Sequence, residues 1–318
     1  MSRHNNLLGL PSMRFYRQTV LRSKLEQRAR ILQAVREFFV DRGFLEIETP
    51  IRIPAPIPEA HIEVQVSGDW YLHPSPELCM KRLLAAGYGK IFQICRCFRK
   101  GERGDRHVPE MTLLEWYVAG WDYLGLMTQC ESLICCVAER VKQDREVSYQ
   151  GRAVDLTPPW ERITVADAFD RFGSMPVGAA LKKGRYDEIM GLEIEPNLGL
   201  NRPVFLHDYP AQCGSLARLK HDNPTVAERF ELYIAGIELC NAFSELTDAE
   251  EQRARFEEEA RLRETSGKKA YPKVDRFLDA LDDLPDAAGN AMGLDRLVML
   301  FTDSASIDDV TAFIPEEL

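Results

Sequence analysis

The sequence predicts an α+β fold, an antiparallel sheet flanked by helices, and three stretches carry that prediction. Cys95 to Tyr117 reads as a strand, a long charged loop and a second antiparallel strand, the alternating run Met111 to Tyr117. Phe230 to Cys240 reads as a hairpin with Ala235-Gly236 at its turn. Ile31, Val35, Phe38 and Phe39 fall at i, i+4, i+7 and i+8, the apolar face of a helix running from Glu26. Hairpin strands with helices laid against them make the α+β pattern.

At 318 residues the chain is long enough for one large domain or two small ones. Its 40 basic and 50 acidic residues leave a net charge of −10, which repels nucleic-acid phosphates overall and leaves only a local basic patch to attract them. Eight cysteines are scattered without a C-x-x-C, and the spacings Cys95/Cys97 and Cys135/Cys136 suit zinc poorly. Reduced thiols in a cytoplasmic protein are expected. No run is apolar enough to span a membrane, and no secretory segment is present.

Taken in order, residues 1–25 carry no acid and several basic side chains. That composition admits a transit peptide; a poorly defined extension packing on residues 26–318 is expected. Gly43 stops the first helix as a C′ residue. A strand then ends at Pro50, and Pro54, Pro56 and Pro58 make an extended loop. Trp70 to His73 is a short strand that delivers Ser75-Pro76-Glu77, and Glu77 heads a helix over 78–86, where a first-turn carboxylate suits the dipole. Residues 121–145 read as helix, Thr157 to Trp160 as a break, and Thr164 as a helix start. Asp248 to Lys269 is expected to be a solvated helix, with Glu251/Arg255, Glu257/Arg261 and Glu259/Arg263 as i, i+4 pairs.

Two features point to chemistry. The loop after Phe98-Arg99 turns on Gly101 and Gly104 and carries Lys100, Arg103 and Arg106, a composition suited to wrapping a polyphosphate. In the hairpin, a two-residue turn sets Tyr233 opposite Glu238, so Glu231 and Glu238 become diagonal neighbours on one face. Carboxylates that close repel unless a cation or a proton lies between them, and Mg2+ suits such oxygen ligands. Asn241, Phe243 and Glu245 have the opposite parity from Glu238. A bulge must intervene if all four face one pocket.

The stretch from Cys95 resembles motif 2 of class II aminoacyl-tRNA synthetases, within them the lysyl branch. Gly43 to Pro50 is similar to motif 1, and Ala291 to Leu300 to motif 3. The resemblance covers about residues 25 to 318 and implies ATP-dependent formation of an aminoacyl-adenylate. It implies Arg99 on the α-phosphate, Arg296 on the distal phosphates, and Mg2+ on Glu231 and Glu238. Glu102, His107, Val108, Leu239 and Gly293 complete the implied nucleotide side. Ser75 and Glu77 are implied at the substrate α-amino group, Asn241 and Phe243 along the pocket, and Glu245 and Tyr117, assisted by Glu115, at a distal ammonium. A homodimer built on motif 1 is also implied.

Two departures stand out. The acid that usually follows the motif 2 arginine by two residues lies at Glu102, and Val108 replaces an asparagine before Pro109-Glu110. Too few residues precede motif 1 for an anticodon-binding barrel, so tRNA is not the expected acceptor. Ala291 stands where lysyl-tRNA synthetases have glycine. Both features match stand-alone paralogues that attach (R)-β-lysine, or lysine, to a lysine of elongation factor P. A minimal tRNA-charging enzyme and a non-catalytic regulatory subunit are the alternatives.

Overall fold

The computed structural model describes residues 16–142 and 144–318, so residues 1–15 of the expected extension lie outside the described residues. The helix expected from Glu26 starts earlier: α1 spans Arg17–Val40. Its first turns are tied to the far end of the chain. Arg17 donates to the carbonyl of Thr311 at 3.2 Å, Gln18 to that of Ala312 at 2.9 Å, and Lys24 pairs with Asp309 at 3.3 Å. Tertiary contact, which local periodicity cannot report, sets this helix start. Gly43, at φ 74°, ends α1: the N–H of Phe44 reaches Phe39 O and that of Gly43 reaches Val40 O, a Schellman pairing.

Short strands β1 (Leu45–Glu46), β2 (Arg52–Ile53), β3 (Val66–Ser67) and β4 (Trp70–Leu72) lead to α2 (Glu77–Ala85). β5 (Lys90–Phe98) and β6 (Glu110–Ala119) flank the charged loop, and α3 (Tyr123–Val141) follows. β7 (Glu146–Tyr149), β8 (Arg152–Asp155), β9 (Glu161–Thr164), α4 (Val165–Phe172), α5 (Val177–Lys182), α6 (Tyr186–Ile189) and β10 (Val204–Pro210) form the middle of the chain. The hairpin β11 (Val226–Ile234) and β12 (Ile237–Ser244) precedes α7 (Ala249–Thr265), α8 (Asp275–Leu278), β13 (Ala287–Gly293) and α9 (Leu294–Phe301). Among the described residues no helix is long and apolar enough to cross a membrane.

Eight strands make one sheet in the order β1-β5-β6-β13-β12-β11-β10-β9. Its interior is antiparallel as expected; the edge pairs β1/β5 and β10/β9 are parallel. Alternation assigns the faces. Phe92, Leu114, Trp116, Phe230, Leu232, Ala288 and Met292 pack with residues of α1, α3 and α9 in one core. Ile91, Tyr117 and Phe243 turn the other way, toward α2, α7 and α8.

On β12 the parity switches. Ile237 and Leu239 lie in the first core, and so do Cys240 and Ala242. The register slips between Leu232, opposite Cys240, and Tyr233, opposite Glu238, leaving Leu239 as the extra residue. This bulge returns Glu238 and Asn241 to the same face.

α7 is solvated over most of its surface, as its charge pattern suggests, but not at Arg263. Glu251 and Arg255 pair at 2.5 Å, but Arg261 pairs with Glu258, and Arg263 is buried. Arg263 donates to the carbonyls of Glu59 and Ile62 and pairs with Glu63 at 3.1 Å, while Glu259 accepts from the N–H of Ala60 at 2.7 Å. The proline-rich loop offers its main-chain groups, and the charges of α7 satisfy them.

Candidate active site

On the face turned toward α2 and α7, neighbouring strands bring distant carboxylates together. Glu115 on β6 accepts from the hydroxyl of Ser75 at 2.7 Å and that of Tyr117 at 3.0 Å. The Ser75 hydroxyl in turn accepts from the N–H of Glu77 at 3.0 Å, fixing the start of α2. Lys81, one turn later and 1% exposed, lies 2.5 Å from both Glu77 and Glu245. Its ammonium is 5.2 Å from the centre of the Phe243 ring. Ala291 pairs with Glu115 on one side and Asn241 on the other, so its methyl lies on the pocket face between them. Glycine at 289 is a steric requirement, because a Cβ there would sit 2.3 Å from both Glu245 Oε1 and the Tyr117 ring.

The second half of the site gathers around His107. Arg296 donates to its Nε2 at 2.7 Å, which requires a neutral ring with the proton on Nδ1. Burial and the Arg296 charge hold His107 below its usual pKa. Arg296 also donates to the carbonyl of Glu238 at 2.9 Å and to its Oε2 at 3.1 Å. Arg106 donates to the carbonyl of Gly236 at 2.7 Å, docking the charged loop on the hairpin turn. Arg99 lies 3.8 Å from Glu102, and its Nε is buried without a partner. The displaced motif 2 acid therefore remains beside its arginine. Glu231 accepts from Arg229 at 2.6 Å and from the Tyr233 hydroxyl at 2.7 Å. Burial pushes its carboxyl up, opposed by Arg229 and reinforced by Glu238.

Leu239 and Val108 are 1% and 3% exposed, with their side chains in the core on the opposite face, so any contact either residue makes to a nucleotide is through its backbone. The bulge turns Leu239 inward, and Val108 fills apolar space that an asparagine would not. Gly293, at the N-terminus of α9, has no protein atom within 3.6 Å of a built Cβ beyond its own neighbours. Packing within the chain does not demand glycine there.

The family model described as tRNA synthetases class II (D, K and N) matches residues 8–317. The chain belongs to this family. It is 38% identical over 319 residues to the lysine–tRNA ligase of Thermoanaerobacter pseudethanolicus, covering 90% of this chain and 62% of that one. It is 40% identical to the lysine–tRNA ligase of Nitrosomonas europaea, with 90% and 62% covered. It is 39% identical over 313 residues to the elongation factor P–(R)-beta-lysine ligase of Pectobacterium atrosepticum, covering 92% of this chain and 95% of that one. The chain thus spans about three fifths of the length of the lysine–tRNA ligases it matches.

Within this class II synthetase fold, four further charged residues join the site. Lys81 and Arg229 supply buried cations. Arg229 bridges Glu231 and Asn241, donating to the latter at 3.0 Å. Glu195 is pushed up by burial and by Glu231 and Glu238, which marks it as a third carboxylate near that pair. Glu59, in the loop held by α7, is pushed up to about 7 by burial and by Glu77. The alternation Arg229-x-Glu231-x-Tyr233 carries a sequence signal for one of the four; Lys81 shows in the sequence only the i, i+4 spacing from Glu77.

Burial, with Glu77 beside it, pushes Glu115 up to about 8. Pairing with an ammonium requires this carboxyl to lose its proton. The affinity for a ligand ammonium placed against Glu115 is therefore expected to climb as pH rises toward about 8, by up to roughly tenfold per unit, and to level off above it. Calorimetry in buffers of different ionisation enthalpy should register proton release on binding. In the unliganded protein this carboxyl's contribution to stability is complete below 4.5 and is lost as pH rises to about 8.

Proposed function

We propose that the chain activates (R)-β-lysine, or lysine, with ATP and transfers the aminoacyl group to a lysine side chain of elongation factor P. It would work in the cytoplasm, as a homodimer. The observation that carries the substrate half of this reading is the pocket's charge balance. Glu77, Glu115 and Glu245 face a single protein cation, Lys81, which burial would discharge but which Glu245 and Glu77 hold above its usual pKa. A substrate with two ammonium groups lets Glu115 ionise and completes that set; a monoamine leaves either a buried carboxylate unpaired or Glu115 protonated.

In the first step a substrate carboxylate oxygen attacks the α-phosphorus of ATP. The bond from that phosphorus to the bridging oxygen breaks, and pyrophosphate leaves. Arg99 would neutralise charge on the α-phosphate and Arg296 on the departing phosphates, with His107 neutral beside it. Glu231 and Glu238 fit Mg2+ by donor chemistry: two carboxylates on one face whose repulsion a cation relieves. Bound there, Mg2+ would neutralise phosphate charge. In the second step an amine attacks the acyl carbon, releases AMP and loses a proton, forming an amide.

Ala291 favours the β-amino acid in this reading, because its methyl reshapes the pocket floor between Glu115 and Asn241. The protein acceptor rests on the near-full-length match to the elongation factor P ligase and on the acidic net charge. Incubation with ATP, labelled (R)-β-lysine or lysine, and either elongation factor P or bulk tRNA tests it. Label is expected on elongation factor P, with (R)-β-lysine the better substrate. Label on tRNA alone contradicts the acceptor, and preference for α-lysine contradicts the role of Ala291.

A further inference from the structure

We propose that His73, Cys95 and Cys97 form a binding site for one thiophilic metal ion, with zinc the fitting metal. Their ligand atoms lie within 4.8 Å of one another, and the two sulfurs are 3.7 Å apart. Two thiolates on one tetrahedral zinc, with Zn–S of about 2.3 Å, stand roughly 3.8 Å apart. A disulfide is not the alternative. Cys95 and Cys97 are i and i+2 on one face of β5, where an extended chain separates the residues by roughly 6.6 Å. A disulfide needs Cβ atoms about 4 Å apart.

The histidine keeps one ring nitrogen available as a ligand. Its Nε2 lies 2.8 Å from the carbonyl of Arg96 and must carry the proton to bond there, which leaves the lone pair on Nδ1. A backbone acceptor on the far ring nitrogen is the usual partner of a metal-bound imidazole. His73 and Cys97 are buried, while Cys95 is half-buried and provides the entry. Gln93, the preceding residue on the same face, keeps a buried Oε1 without a partner. A metal-bound water would satisfy that oxygen. The C-x-C spacing alone offers two donors, and only the fold brings up the third.

The site lies beside the amino-acid pocket. Gln93 pairs across β5/β6 with Glu115, and Cys97 stands two residues before Arg99. An ion held here would tie the segment leading to Ser75 to the strand leading to Arg99. Occupancy would then report on, and respond to, the cell's supply of a soft metal.

The test uses the full chain, reduced, stripped with a chelator and kept in Mg2+, titrated with Co2+ and then Zn2+. One Co2+ per chain is expected, with tetrahedral ligand-field bands in the visible and a thiolate charge-transfer band in the near ultraviolet, both displaced by zinc. Glu238→Gln should leave the charge-transfer band intact, separating this site from the carboxylates. Cys95→Ser and Cys97→Ser should each abolish that band and weaken zinc binding more than ~100-fold, since losing even an outer partner typically costs 10–100-fold. X-ray absorption of the zinc-loaded wild type, which needs no variant to fold, should show two sulfur ligands with nitrogen and oxygen. Absence of the charge-transfer band in protein with reactive thiols overturns the proposal. So does its undiminished persistence in Cys95→Ser and Cys97→Ser, or a shell of oxygen and nitrogen alone.

Discussion

Replacing Arg99 by alanine is expected to lower kcat/KM for amino-acid-dependent pyrophosphate exchange by about 10³-fold, with the melting temperature shifted by less than about 2 °C. The two halves of this expectation have separate causes. In the folded chain the Arg99 guanidinium meets only a loose contact with Glu102 at 3.8 Å, and its Nε is buried without a partner. A pair of that kind contributes roughly 0–1 kcal/mol, so its removal barely moves the transition of a chain this size. Its cost to folding is small because its partner is missing from the protein. Removing one preorganised donor to charge that develops in a transition state typically costs 10²–10³-fold, and an arginine on a transferring phosphate 10³–10⁵-fold. Exchange kinetics with a melting curve on the same preparation check both halves.

Gly289→Ala is expected to raise KM for the amino acid by ~100-fold or more and to destabilise the fold as well. The added methyl would overlap Glu245 and the Tyr117 ring at 2.3 Å. Glu245 is held 2.5 Å from Lys81 and Tyr117 is buried, so neither side chain can retreat without breaking that contact or displacing packed neighbours. Overpacking of this kind costs about 1–3 kcal/mol. Misplacing the reacting groups by about 1 Å costs a further ~10²-fold. Gly293→Ala is the contrast. A Cβ there meets nothing closer than 3.6 Å, so the melting temperature should not change.

What could be read before the fold was known follows from how local each feature is. The hairpin register was legible because a two-residue turn fixes which residues oppose one another. The bulge was legible for a related reason: Glu238 and Asn241 have opposite parity and can share a face only if one residue is skipped. The start of α1 was not legible, because its N-terminal turns bond to residues 309–317. Nor was the inward turn of Arg263, since an alternating charge pattern looks the same whether a guanidinium meets water or three carbonyls of a neighbouring loop. Lys81 is the most instructive of these. Its spacing from Glu77 describes a modest helix pair; its burial against Glu245, on a strand far along the chain, places its ammonium among the pocket's carboxylates.

The central claim is that one pocket completes its charge balance with a second ammonium and activates that substrate with ATP. Pyrophosphate exchange driven by (R)-β-lysine or lysine, compared with norleucine, which keeps the carbon chain and lacks the distal amine, tests it most directly. The account predicts exchange with a diamino acid and a rate lower by ~10⁴-fold with norleucine, as expected where a buried polar group is left unpaired. Norleucine within about tenfold of lysine, or exchange that needs no amino acid, would contradict it.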